Sequence, residues 1–128
     1  MENVWIYCRV ANPNSDAMHM QVSELRRYAD EYGYAIAGIT QEYSNGLSID
    51  RFGLMDVARA VIQGKATVVL VKSTSRIARN SGDVAQFVRF LQQHGASLQC
   101  VQEGEINNRI VFLHAYLAKK KSECSQIL

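Results

Sequence analysis

The chain alternates short apolar runs with amphipathic helical segments, and this alternation constrains its fold more than any other feature. Three of the helical segments are followed by glycine, at Gly33, Gly64 and Gly95, as expected where a left-handed C-cap returns the chain to a strand. The predicted strands are residues 4–10, 35–43, 66–72 and 97–102. Strands that alternate with helices pair in parallel through right-handed crossovers, so the pattern predicts a mainly parallel sheet with helices on both faces.

Apolar residues at three-and-four spacing predict the helices. Val22, Leu25 and Tyr28 define the first, which precedes Gly33; the second begins near Arg51 and runs to Gly64. A third helix precedes Gly95, and a last one is expected over about 108–124. The first and third strands are nearly continuous in apolar residues, which is typical of central strands covered on both sides. We therefore predict one three-layer α/β domain over residues 1–128, with a central sheet of four to five strands.

Composition excludes several functional classes. The net charge of +2 is too small to indicate nucleic acid by itself. Three cysteines without CxxC spacing, Cys8, Cys100 and Cys124, predict free thiols in a reducing cytoplasm, and the three histidines share no ligand spacing. We expect no metal and no cofactor. No apolar run is long enough to cross a membrane, and the first residues do not form a signal peptide.

Arginines cluster at the predicted strand ends. Arg9 lies near the end of the first strand, Arg51 precedes the second helix, and Arg76 and Arg79 follow the third strand. Ligands of open parallel sheets bind at the carboxyl ends of the strands, and guanidinium groups fit phosphate oxygens bidentately. The pattern predicts a phosphate site. Its centre carries Ala11, a methyl group where phosphate chemistry requires a nucleophile.

Three motifs, in matching order and spacing, resemble those of the serine site-specific recombinases, the resolvase and invertase family. They are Tyr7-Cys8-Arg9-Val10-Ala11, Gly46-Leu47-Ser48-Ile49-Asp50-Arg51-Phe52-Gly53-Leu54 and the strand Val69-Leu70-Val71 that leads into Ser75-Arg76-Ile77-Ala78-Arg79-Asn80. Such enzymes cleave and rejoin DNA through a 5′-phosphoserine link within a tetramer, without a metal. The resemblance implies that Arg9, Arg76 and Arg79 hold the scissile phosphate, an electrostatic role.

The resemblance also implies contacts around that centre. Further DNA-phosphate contacts are expected from Tyr7, Gln21, Ser48, Arg51, Lys119, Lys120 and Lys121. The three lysines also fit a solvated helix end that complements the helix dipole. The implied partner is DNA, contacted through its backbone, and the last helix is expected to form a homodimer or tetramer. A DNA-reading helix-turn-helix region is not expected within residues 1–128.

Two departures from the family pattern affect the chemistry. Ala11 replaces the nucleophilic serine, and Ser75 replaces the acidic residue expected before Arg76. The first hypothesis is therefore a recombinase domain that binds DNA phosphates or a partner without cleaving the strand. The second is an active recombinase whose serine was substituted. A flavodoxin-like or receiver-like signalling module is a more distant alternative, because the glycine-rich turn or the aspartates that it requires are missing.

Overall fold

The structure, a computed structural model, describes residues 2–46 and 51–106. The predicted last helix, Ser48 and Lys119–Lys121 lie outside these residues, and so does the oligomer contact expected from that helix.

The described part of the chain forms a five-stranded sheet in the order β2-β1-β3-β4-β5. The elements in chain order are β1 (Asn3–Val10), α1 (Ala17–Glu31), β2 (Ala35–Tyr43), α2 (Phe52–Ile62), β3 (Val68–Val71), the 3-10 turn η1 (Thr74–Arg76), α3 (Ser81–Gln93), β4 (Ser97–Cys100) and β5 (Gly104–Ile106). The first four strands in chain order pair in parallel, whereas β5 is antiparallel to β4. The predicted α/β architecture is confirmed.

The end of the fourth strand differs from the prediction. We expected it to reach residue 102, but β4 ends at Cys100, and residues 101–103 form a turn into β5. Gly104 opens β5 with a φ of +82°, a left-handed conformation that glycine adopts without strain. Val101 and Gln102 still donate their backbone N–H groups to Val71 and Lys72, at 3.0 and 3.1 Å. The prediction placed the end of the strand too late because the backbone of Val101 and Gln102 stays hydrogen-bonded to the end of β3 after β4 has ended.

Each face of the sheet is covered by helices. On one face Ile6, Cys8 and Val10 of β1 pack with Leu25 and Ala29 of α1. The opposite face carries a second core formed with α2 and α3, to which β1 contributes Tyr7. Complete burial of a large apolar side chain contributes roughly 1.5–3 kcal/mol. Because successive side chains of a strand point to opposite faces, the order of residues along β1 fixes which side chains enter each core. Tyr7 and Cys8 lie on opposite faces for this reason.

A helix cap positions the segment that follows β3. Asn80 caps α3, because its side chain accepts the N–H of Asp83 at 2.7 Å and donates to the Asp83 carboxylate at 2.9 Å. A helix start held in this way fixes the direction of residues 77–80, which include Arg79.

None of the helices in the described ranges is long and apolar enough to cross a membrane.

Gly38 of β2 is required by the side chain that covers it. A Cβ at this position would lie 2.3 Å from the ring of Trp5, and the indole N–H is held by Thr40 Oγ1 at 2.8 Å. The ring cannot move away without losing that hydrogen bond. We expect Gly38→Ala to lower the free energy of unfolding by about 1–3 kcal/mol, measured by urea denaturation. The exposed neighbour Ala37 offers a control, Ala37→Ser, and equal stability of the two variants would contradict this assignment.

Candidate phosphate-binding site

Arg9 joins three segments at the carboxyl edge of the sheet. Its Nε donates to the carbonyl of Arg76 at 2.9 Å, Nη1 to that of Ser44 at 2.8 Å and Nη2 to that of Ser75 at 2.7 Å. The guanidinium of β1 thus holds the loop after β2 and the turn after β3 together. Three of its five N–H groups are used in these bonds, and two have no acceptor within residues 2–46 and 51–106.

The environment of Arg9 is both buried and cationic. The residue is only 7% exposed, and its pKa is lowered, first by loss of hydration and then by the positive charges of Arg51, Arg76 and Arg79. These interactions place all four arginines near one another, as predicted from the strand ends. A cluster of like charges is stabilised by an added anion, so the site has an electrostatic preference for a phosphate.

Gly46 allows the Arg9 guanidinium to lie against the loop after β2. A Cβ at this position would be 2.7 Å from Arg9 Cζ, and the φ of +74° is one that side chains rarely adopt. Both the space and the backbone conformation therefore require glycine. This explains in physical terms why a glycine stands in the second motif.

A buried network behind this edge holds Arg51. Arg51 Nε donates to Glu42 Oε1 at 3.0 Å, and Nη2 donates to Tyr7 Oη at 3.0 Å and to the Ile77 carbonyl at 2.6 Å. Tyr7 donates its O–H to Glu42 Oε1 at 2.5 Å, and burial followed by this hydrogen bond raises the pKa of Tyr7. The phenolic hydrogen of Tyr7 is therefore donated to Glu42, and the phosphate contact expected of Tyr7 stays a prediction.

Glu42 is the residue of the site that sequence reasoning missed. Besides Arg51 and Tyr7, it accepts the backbone N–H of Gly53 in the first turn of α2, at 2.6 Å. The only signal in the sequence was its place two residues after Thr40 on β2, because side chains two positions apart share one face of a strand. Thr40 is buried. Without the partners that fold against it, an acidic residue in a strand indicates an exposed position. Glu42 thus connects β2, α2 and the core face of β1.

Arg76 lies at a cleft of about 470 Å³ beside Ala11. Its Nη1 donates to the carbonyl of Arg9 at 3.3 Å, whereas its Nε is buried and has no acceptor among the described residues. A buried donor without an acceptor is unfavourable. The Arg76 side chain also lines the cleft, where an oxyanion is a chemically suitable partner for the guanidinium. The cleft floor is fixed by Gln21, whose side chain binds both the N–H and the carbonyl of Arg9, at 3.1 and 3.3 Å.

Two further predicted residues, Arg79 and Ser75, are exposed. Arg79 is exposed, and its Nε donates to the Asn45 carbonyl at 3.0 Å. Ser75 is also exposed, and its Oγ lies 2.6 Å from that of the buried Ser73. No acidic side chain stands at this position to interact with the arginines.

Two side chains near position 11 carry a thiol or a hydroxyl, Cys8 and Ser15. Burial raises the pKa of the Cys8 thiol to about 12, and Cys8 packs against α1 on the face opposite Tyr7. Ser15 lines the same cleft as Ala11, but its hydroxyl donates to the Asn12 carbonyl at 3.1 Å. Within the described ranges, no group of three His, Cys, Asp or Glu side chains could hold a metal ion.

Known proteins share both the sequence pattern and the fold. The family model "Resolvase, N terminal domain" matches residues 4–122. The fold is similar to that of the N-terminal catalytic domain of TP901-1 integrase (TM-score 0.76, 18% identity, 98% of this chain and 97% of that one). A resolvase family site-specific recombinase from Streptococcus pneumoniae is also similar (TM-score 0.75, 26% identity, 99% and 92% coverage). No curated protein shows significant sequence similarity.

The chain belongs to the resolvase family and is a serine recombinase domain. The family model covers all three motifs on which the resemblance rests. Membership implies DNA binding and oligomerisation at the level of the family.

Proposed function

We propose that this domain binds the phosphodiester backbone of DNA in its recombinase site without cleaving the strand. The observation that carries the proposal is Ala11, which lines a cleft with Arg76 but has no oxygen to attack phosphorus. Formation of a phosphoserine link requires a hydroxyl that displaces the 3′ oxygen of the scissile bond. A methyl group cannot make that bond.

The arginines divide into two roles in this proposal. Arg76 and Arg79 are more accessible than Arg51 and are the main phosphate ligands, together with the two remaining N–H groups of Arg9. Arg51 is enclosed by Glu42, Tyr7 and backbone carbonyls, so it supports the edge rather than contacting DNA directly. Fixed positive groups of this kind stabilise an anion without reorganisation.

The second candidate function, an active recombinase that has lost one serine, is favoured by the intact arginine cluster. Against it stands Ser75, since the acidic residue of the family pattern is also missing. Family membership favours both recombinase readings over a flavodoxin-like or receiver-like signalling module.

We further propose, from the family resemblance, that residues 108–124 assemble the domain into a dimer or tetramer, that Lys119–Lys121 contact DNA, and that the protein acts in the cytoplasm.

The test combines DNA binding with a search for covalent adducts. The protein is expected to bind a fluorescent duplex with an affinity that falls steeply as salt is raised, and to leave no protein–DNA adduct on denaturing gels. Ala11→Ser tests whether the site retains latent chemistry, and Ala17→Ser places a hydroxyl elsewhere on the same cleft as the control. An adduct formed by the unmodified protein would refute the proposal. An adduct formed only by Ala11→Ser would show that the missing oxygen alone blocks cleavage.

A further inference from the structure

The cleft beside Ala11 extends well beyond the predicted phosphate ligands. One wall is a stripe of α1 at three-and-four spacing, formed by Ala17, Met20, Gln21, Glu24 and Arg27. The other wall is formed by the ends of β1 and β3, with Lys72 and Arg76. We call this groove the α1 cleft. The side chains of Lys72, Arg27 and Glu24 do not belong to the phosphate site described above.

The charges of the α1 cleft are unbalanced. Arg27, Lys72 and Arg76 supply three positive charges, and Glu24 is the one acidic side chain in its lining. Lys72 Nζ lies 3.5 Å from Glu24 Oε2, and the two side chains are 31% and 33% exposed. Partly exposed ion pairs of this kind are weak and open readily. Lys72 is thus held by a carboxylate that a stronger anion can replace.

We infer that the α1 cleft binds the DNA backbone next to the phosphate held by the arginine cluster, and that Glu24 restrains this binding by occupying Lys72. The inference rests on the proposed function, because the flanking backbone enters only if the central phosphate does. Lys72 exchanges its bond with Glu24 for one with a phosphate oxygen. Arg27 contacts the DNA backbone further along α1.

The length of the cleft agrees with an extended anion. Ala17 and Arg27 are separated by about 15 Å along the helix axis, at 1.5 Å per residue. One DNA strand rises about 3.4 Å per nucleotide, so this wall is longer than one phosphate group. An acidic peptide is the competing occupant, but DNA is favoured because Arg76 belongs to both the α1 cleft and the phosphate site.

The experiment measures duplex binding by fluorescence anisotropy across a salt series with the full chain. Lys72→Gln is expected to weaken binding severalfold and to reduce the slope of log affinity against log salt by about 0.9, the value for one lost phosphate contact. Glu24→Gln is expected to tighten binding severalfold and to make the slope steeper. Arg89→Gln on α3 and Glu31→Gln at the end of α1 remove the same charges outside the cleft and are the matched controls. Unchanged circular dichroism and melting temperature establish that the variants fold.

The outcomes separate the inference from the proposed function. If the protein binds DNA and Arg76→Gln weakens binding, but Lys72→Gln and Glu24→Gln behave like their controls, the inference is overturned and the proposed function stands. If the unmodified protein does not bind duplex at low salt, both fail. Binding of a fluorescent poly-glutamate peptide that Lys72→Gln weakens and that duplex does not displace would assign the cleft to an acidic peptide and also overturn the inference.

Discussion

Glu42→Ala is expected to lower the free energy of unfolding by about 3–5 kcal/mol, the usual loss when one partner of a buried ion pair is removed. The Arg51 and Glu42 side chains are 7% and 11% exposed, so water does not replace the lost carboxylate. The Nε of Arg51, the hydroxyl of Tyr7 and the N–H of Gly53 all lose the carboxylate that accepts from them. Urea denaturation followed by circular dichroism measures the change.

Two further variants make this prediction specific. Gln41→Ala alters the adjacent, exposed position of β2 and should change stability by less than about 0.5 kcal/mol. Arg51→Met combined with Glu42→Ala removes both charges, and the double variant should be more stable than the sum of the single losses indicates. Additive losses would show that Glu42 and Arg51 do not act as a pair.

Arg9→Lys is expected to reduce both stability and DNA affinity, although the charge is kept. A lysine ammonium is a compact donor and cannot reach the carbonyls of Ser44, Ser75 and Arg76 together, as the planar guanidinium does. Hydrogen bonds from charged groups to buried acceptors contribute about 1.5–3 kcal/mol each, so we expect a loss of at least about 2 kcal/mol. Binding to duplex should weaken at least about tenfold, because the loops that carry Arg76 and Arg79 lose their shared anchor.

The matched change for Arg9→Lys is Arg26→Lys, at an exposed position of α1. Urea denaturation and anisotropy are measured on both variants at one salt concentration. If Arg9→Lys equals Arg26→Lys in stability and affinity, the guanidinium geometry has no role at this edge.

The fold could be predicted because its signals are local. Helix spacing, the glycines after three helices and the apolar runs each depend on neighbouring residues, and Gly33, Gly64 and Gly95 adopt the expected positive φ of 73–74°. Alternation along β1 also placed Cys8 and Tyr7 on opposite faces, as the two cores confirm. The three-residue strand β5 was beyond this reasoning, because its pairing with β4 depends on a turn rather than on a periodic pattern.

The site was less predictable because its bonds join distant segments. Tyr7 and Glu42 are 35 positions apart, and Arg9 and Arg76 are 67 apart. Motif order indicated that the arginines would gather at one edge. It did not indicate that Glu42 would accept from Arg51, or that the Tyr7 hydroxyl would donate to Glu42.

The sequence by itself determined the order of strands and helices, the arginines at the strand ends and the absence of a nucleophilic oxygen at Ala11. These follow from residue identity and short-range spacing. Only the tertiary structure decided which N–H groups of those arginines are already bound and which arginine side chain lines a cleft. Arg9 and Arg51 donate to carbonyls and to Glu42. Arg76 lines the cleft beside Ala11, and its buried Nε has no acceptor among the described residues. The physical reason is that a hydrogen bond depends on atoms brought within about 3 Å by packing, and no spacing along the chain specifies that distance.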